Sequence, residues 1–309
     1  MRFYDFLSYL CIMTSELSIL IPCHDYICKP LVEQLALQAS SVEGLRYEII
    51  VIDDGSTAAR MVEVNRSISR MPFCRHIALT ENQGRSKVRN LLAREAKYEC
   101  LLFIDCKHSL PDGEFIRRYV EASDNDVVDG GIIIQGDPHL LRGNLRFLYE
   151  KSAEAAHTVE KRREDEYRDF HTANFMARRI VMNRCRFDET ITRYGYEDVL
   201  FGKQLKAEGI RITHIANPVG FGHFDSNKSF VSKTEDGILT LLENADKLET
   251  YSTLLYIYNK VGAFHLHWLL RLVHRFLGKL MRKNLIGRKP SLAVFKIYKI
   301  TYFASLHHS

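Results

Sequence analysis

The sequence predicts an α/β fold: a mostly parallel sheet flanked by helices, followed by a helical, basic C-terminal extension. Three observations carry this. Apolar runs without polar alternation, such as Ile49-Ile50-Val51-Ile52, read as strands buried on both faces. Those runs alternate with segments of helical periodicity, the pattern of βαβ units. Charge is divided along the chain: of 43 Lys and Arg, ten lie in residues 251–309, which contain no Asp or Glu, leaving 33 against 38 acidic residues in 1–250. The body is thus mildly acidic and the tail strongly basic, which marks a boundary and suggests an anionic partner for the tail.

The elements follow in order. Glu16–Pro22 reads as a first buried strand closed by proline, with a loop at Cys23-His24-Asp25-Tyr26. Residues 30–41 look helical through Leu31, Leu35 and Leu37. The second strand, Tyr47 to Ile52, ends in Asp53-Asp54-Gly55-Ser56-Thr57. In open α/β sheets ligands bind outside the carboxyl ends of strands, so these two carboxylates stand where a ligand would be. The other reading is a plain strand-to-helix turn capped by Ser56 or Thr57. A short apolar segment at Cys74–Leu79 precedes a helix at 86–97, and Cys100–Ile104 is another buried strand, ending at Asp105. Asp126–Ile134 is a further strand candidate. The segment 159–169, dense in both charge signs, reads as a solvated helix or loop. Tyr194-Gly195-Tyr196-Glu197-Asp198 opens a helix that ends at Gly209, and Arg211–Ile215 is a short strand.

Composition excludes several classes. Seven cysteines without a C-x-x-C pair, mostly in apolar surroundings, point to reduced thiols in a cytosolic protein and not to a disulfide framework. The apolar stretch Met1–Met13 is interrupted by Arg2 and Asp5 and lacks a small-residue cleavage site, so it does not read as a signal peptide. No uncharged apolar run reaches the roughly 18 residues of a spanning helix.

The order of these motifs resembles the family 2 glycosyltransferases. The matching pieces are Ser18–Pro22, Glu48–Thr57, Asn82–Asn90, Leu102–Asp105, Ala173–Arg179 and Gly195–Asp198. Each is weak alone; in register they are specific. The resemblance covers 16–235, leaving an extension at 1–15 and a helical, basic amphipathic region at 236–309. It implies a GT-A nucleotide-sugar-binding domain, Rossmann-like, and an inverting transfer from a nucleotide-diphosphate sugar, a UDP-sugar, to a glycan or lipid-linked acceptor in surface polysaccharide synthesis.

The resemblance also implies site roles. Pro22 and the following loop with His24 would line the base pocket, and Asp53 or Asp54 would hold the base or ribose. Gly84 and Arg89 would lie against the nucleotide, Arg89 facing the diphosphate or a neighbouring carboxylate. Asn174 and Tyr196 would form the acceptor side. Asp198 would be the general base, oriented by Glu197; the bland reading of both is acids at a helix N-terminus. Where the family has Asp-x-Asp for Mg²⁺ or Mn²⁺, this chain has Asp105-Cys106-Lys107. Protonated lysine cannot ligate a metal. Either a metal binds through Asp105 with His223 or His108, or Lys107 supplies the positive charge itself, or the site is inactive. His223 either completes such a site or is an ordinary loop histidine.

A non-catalytic nucleotide-sugar-binding or partner-binding protein is the alternative reading, supported by Asp105-Cys106-Lys107 and opposed by the retained Asp198. A nucleotidyltransferase would want a glycine-rich N-terminal loop that the chain lacks. In the tail, Leu269, Leu272, Val273, Phe276 and Leu280 share one helical face while Arg271, Arg275, Lys279 and Arg282 share another. This predicts docking on an anionic membrane surface, hence a cytoplasmic protein peripheral on the inner face; the rival is an amphipathic helix packed on the domain. Nucleic acid is not an expected partner, since the body carries no matching basic signal.

Overall fold

The computed structural model describes residues 16–167 and 170–307. The extension 1–15, with the Met1–Met13 stretch, and Arg168-Asp169 of the charged segment lie outside the described residues. In chain order the elements are β1 (Glu16–Cys23), α1 (Lys29–Ser41), β2 (Arg46–Asp53), α2 (Ala59–Arg66), β3 (Cys74–Ala78), α3 (Arg85–Glu95), β4 (Cys100–Ile104), β5 (His108–Ser109), α4 (Phe115–Glu121), β6 (Val127–Asp129) and β7 (Ile132–Ile134). There follow α5 (Pro138–Leu141), α6 (Leu145–Ala153), α7 (Val159–Glu164), β8 (Asn174–Arg178), α8 (Arg179–Arg184), α9 (Glu197–Ala207), β9 (Ile212–His214) and β10 (Val219–Phe221). The chain closes with α10 (Asn227–Glu243), α11 (Ala245–Leu248), α12 (Thr253–Ala263), α13 (His267–Ile286) and α14 (Leu292–Leu306). They form two compact units, the first of residues 16–133, His157–Glu189 and Phe201–Phe221, the second of Ile134–Ala156, Thr190–Leu200 and 222–307.

The first unit is built on a seven-stranded sheet of order β3-β2-β1-β4-β8-β6-β9. Strand pairs β1–β2, β1–β4, β2–β3 and β6–β9 are parallel, and only β8 runs against its neighbours. The apolar runs divide by period two between the faces. Ile19, Ile21, Ile49 and Val51 join Leu31, Val32 and Leu35 of α1 in one layer. Leu20, Ile50, Ile52 and Phe103 join Val88 and Leu92 of α3 in the other. Burial on both sides is why these strands needed no polar alternation. Since α1 follows β1 on one face and α3 precedes β4 on the other, the winding reverses between β1 and β4. That reversal is the topological switch point at which open α/β sheets leave a crevice. A separate three-stranded sheet has the order β5-β10-β7, with β5 antiparallel to β10.

The second unit is helical around two apolar clusters. Leu145 of α6, Phe230 and Val231 of α10, Met281 and Leu285 of α13, and Phe295 and Tyr298 of α14 form one. Ile238, Leu241, Leu255, Tyr258 and Phe303 form the other, against which Tyr196, Val199 and Leu200 pack. Serine side chains cap the N-termini of α10, α12 and α14, accepting from Ser229, Leu255 and Val294 amides, each contributing about 1 kcal/mol.

Candidate functional site

The loops at the switch point come from the ends of β1, β2 and β4. Pro22 and Cys23 pair with Ile52 and Asp53 in register, while Asp105-Cys106-Lys107 leaves β4 on the other side of β1. The His24 ring donates through Nδ1 to the Asp54 carbonyl at 2.7 Å. Asp25 accepts from the Thr57 amide at 2.8 Å, a bond that holds its carboxyl below the ordinary range. The β1 and β2 loops are therefore stitched together across the crevice floor.

The two carboxylates that close β2 separate in role. Both oxygens of Asp54 accept backbone amides, from Gln83 at 2.6 Å and Gly84 at 3.1 Å, so Asp54 fixes the turn into α3. Asp53 accepts the Ser56 amide on Oδ1 at 2.9 Å. Its buried Oδ2 has no hydrogen-bond partner among the described residues, and His76 Nε2 lies 3.8 Å away. Burial pulls the His76 pKa down, against the opposing pull of Asp53. Gly55 has φ +64°, and a Cβ there would collide with the backbone of Glu81 and Asn82, so no other residue fits this approach. Gly84 takes φ +87° at the N-cap of α3.

Arg89, buried on α3, donates through Nη2 to Asp105 Oδ1 at 2.9 Å and stacks over Phe187 at 5.5 Å. Burial opposes ionisation of Asp105, but Arg89, with His108 and Arg85, holds its carboxyl below the usual range. Lys107 Nζ lies 5.7 Å from the centre of the Tyr26 ring. Cys106 is buried, and a hydrogen bond with Cys23 together with burial pushes its thiol well up, so it is a poor ligand and a poor nucleophile. These residues do not fit a divalent ion. The one carboxylate after β4 is already compensated by a guanidinium, an ammonium stands at the next ligand position, and no three His, Cys, Asp or Glu gather among the described residues.

The remaining candidates fall elsewhere. Asn174 is buried in β8, where its amide donates to the Gly131 and Asn217 carbonyls at 2.8 Å each and accepts from Tyr119 at 2.7 Å. Tyr196, Glu197, Asp198 and His223 belong to the second unit. Tyr196 takes φ +67°, and burial pushes its hydroxyl up to about 12, against a hydrogen bond to Ser252. Asp198 accepts from the Val199 amide at 2.8 Å in the first turn of α9, where Glu197 is buried beside it. His223 is exposed after β10.

One cluster escaped the sequence. Arg162, in the segment expected to be solvated, is buried against Asp129 at 2.8 Å and the Gly130 and Ile215 carbonyls. His214 closes the group, 2.9 Å from Asp129 and, through Nε2, 2.9 Å from the Glu166 carbonyl. The expectation fails because the acid and histidine that take Arg162 inside lie 33 and 52 residues away in the chain.

The profile of Glycosyl transferase family 2 matches residues 18–186. Among solved structures, S. aureus TarS is similar with a TM-score of 0.51 at 16% identity, over 93% of this chain and 55% of that one. S. aureus TarS 1–349 in complex with UDP-GlcNAc gives 0.51 at 16% identity, over 94% and 90%. The chain thus spans about half the length of full TarS. No curated protein sequence matches it.

Proposed function

The chain belongs to glycosyl transferase family 2, a glycosyltransferase of GT-A-like fold, and from this we propose that it transfers a sugar with inversion from a UDP-sugar to a glycan or lipid-linked acceptor in surface polysaccharide synthesis. The observation that carries the reading is the set of polar strand ends gathered at the β1/β4 switch point. The similar fold of TarS 1–349 with UDP-GlcNAc supports a UDP-sugar as the donor class.

In this reading Pro22, His24 and the unpartnered oxygen of Asp53 receive the base, while Asp54 and Gly84 shape the loop around it. Arg89 orients Asp105. The family often uses a divalent metal; here Lys107 supplies positive charge to the diphosphate as a point-charge binder. Asp198 removes the proton of the acceptor hydroxyl as its oxygen bonds to the anomeric carbon, and the bond to the diphosphate breaks on the opposite side. Glu197 and Tyr196 position the acceptor.

A donor-hydrolysis screen across nucleotide-sugars, with and without Mg²⁺ and Mn²⁺, tests this. Slow release of UDP from one UDP-sugar, persisting without metal, is expected. Binding without turnover of any donor would favour a non-catalytic nucleotide-sugar-binding protein. No binding of any nucleotide-sugar would overturn both.

A further inference from the structure

Four of the five residues in the apolar stripe that the sequence marks on α13, Leu269, Leu272, Phe276 and Leu280, are exposed; the fifth, Val273, packs against the cluster around Met281 and Leu285. The buried side of α13 is formed by Gly278, Met281 and Leu285, with His274 at 3.3 Å from Thr301 of α14. On the outward side, Trp268 is 57% exposed, Phe276 71% and Leu280 65%. Leu269 and Leu272 lie between them, also exposed. At 3.6 residues per turn these five fall on one continuous strip. The turn that leads into the helix adds Phe264, 76% exposed, and Leu266. Isolated exposed apolar residues need no account, but a strip of this length marks an interaction surface.

Charge identifies the occupant. Arg275, Lys279 and Lys283 are exposed along the same helix and have no acidic partner among the described residues. Arg282, which faces inward, pairs with Glu235 at 2.8 Å. The whole segment 251–309 has ten basic and no acidic residues. A protein partner would meet this face with apolar groups and acids in fixed places; a second copy would bring Arg275, Lys279 and Lys283 against the same three like charges. No helix of the described residues is long and apolar enough to cross a membrane. We propose that the Phe264–Lys283 face of the α12–α13 hairpin lies in the headgroup boundary of an anionic phospholipid bilayer. Phe264, Trp268, Leu272, Phe276 and Leu280 enter the acyl boundary, and the flanking lysines and arginines reach back to the phosphates.

The 309-residue protein is sedimented with phosphatidylcholine vesicles containing about one-third phosphatidylglycerol. Binding to these and not to pure phosphatidylcholine is expected, weakening steeply as salt rises from about 0.05 to about 0.5 M. Phe276→Ser with Leu280→Ser removes two outward side chains without touching the core, and should weaken binding about 10- to 100-fold with unchanged circular dichroism. Arg275→Gln with Lys279→Gln should weaken binding and flatten its salt dependence. No binding at low salt, or equal binding by the serine variant, overturns the proposal. So does a dimer, seen by light scattering, that the serine variant turns into a monomer. Vesicle binding is read without donor or acceptor, so its failure is separate from a failure of transfer.

Discussion

Replacing Arg89 with methionine should destabilise the protein by an amount that depends on pH in a defined direction. Arg89 is buried and its guanidinium meets Asp105 at 2.9 Å. At an effective dielectric of about 20, charges roughly 4 Å apart attract by about 4 kcal/mol. The Asp105 side chain keeps 31% of its surface exposed, so water recovers part of this, and a net loss of about 2–3 kcal/mol at pH 7 is expected, below the range of about 3–5 for a fully enclosed pair. In the parent protein the Asp105 carboxyl is held low. Its contribution is therefore complete above the unfolded carboxyl pKa of about 3.9 and is lost as pH falls through the folded value. In Arg89→Met burial remains while the main opposing charge is gone, so the carboxyl shifts upward and folding is penalised where it must stay ionised. The deficit relative to the parent should be full at pH 7, shrink in part as the variant's raised carboxyl titrates, and lose the rest only as pH falls below about 3.9 through the parent's folded value. Urea unfolding followed by circular dichroism measures it, urea being chosen because guanidinium would screen the pair. Asp105→Asn in the Arg89→Met background should recover part of the loss, since it removes the charge left behind. A deficit that stays constant from pH 7 down to about pH 2.5, well below the unfolded carboxyl value, would refute the electrostatic account and leave lost packing on Phe187 as the cause.

Asp198→Asn keeps an oxygen for the Val199 amide, so it should lower transfer by about 10²–10⁴-fold while donor affinity, measured calorimetrically, stays nearly the same; full activity would remove Asp198 from the mechanism. Lys107→Met should weaken UDP-sugar binding about 10-fold or more, and Lys107→Asp should raise dependence on Mn²⁺; parent activity abolished by EDTA and restored by Mn²⁺ would contradict charge replacement. Arg162→Met strands Asp129 inside the sheet and should cost about 3–5 kcal/mol in urea unfolding, part of it regained with Asp129→Asn; a loss under about 1 kcal/mol would show that water replaces the guanidinium.

Strands β1, β2 and β4 of the first unit were legible in the residues alone, whereas the antiparallel β8 between β4 and β6 was not. Runs such as Leu17–Ile21, Ile49–Ile52 and Leu101–Ile104 state that both faces of each strand are covered, and the polar residues after them state where each strand ends. Those signals are local; the strand order β2-β1-β4, which brings Pro22, Asp53 and Asp105 to one switch point, is set by pairing between strands distant in the chain. What sequence could not resolve were questions about partners distant in the chain. Adjacent Asp53 and Asp54 read alike, yet Gln83 and Gly84 occupy both oxygens of one and leave an oxygen of the other unmet. Arg162 sat in a run that looked solvated until Asp129 and His214 enclosed it. Asn174 read as a ligand-facing residue, and the carbonyls that saturate its amide come from Gly131 and Asn217. On α13 the periodicity grouped Leu269, Leu272, Phe276 and Leu280, which are exposed, with Val273, which packs inward. Amphipathicity fixes which residues share a side, and only the packing of α10 and α14 against Gly278, Met281 and Leu285 decides that the other side meets the surroundings.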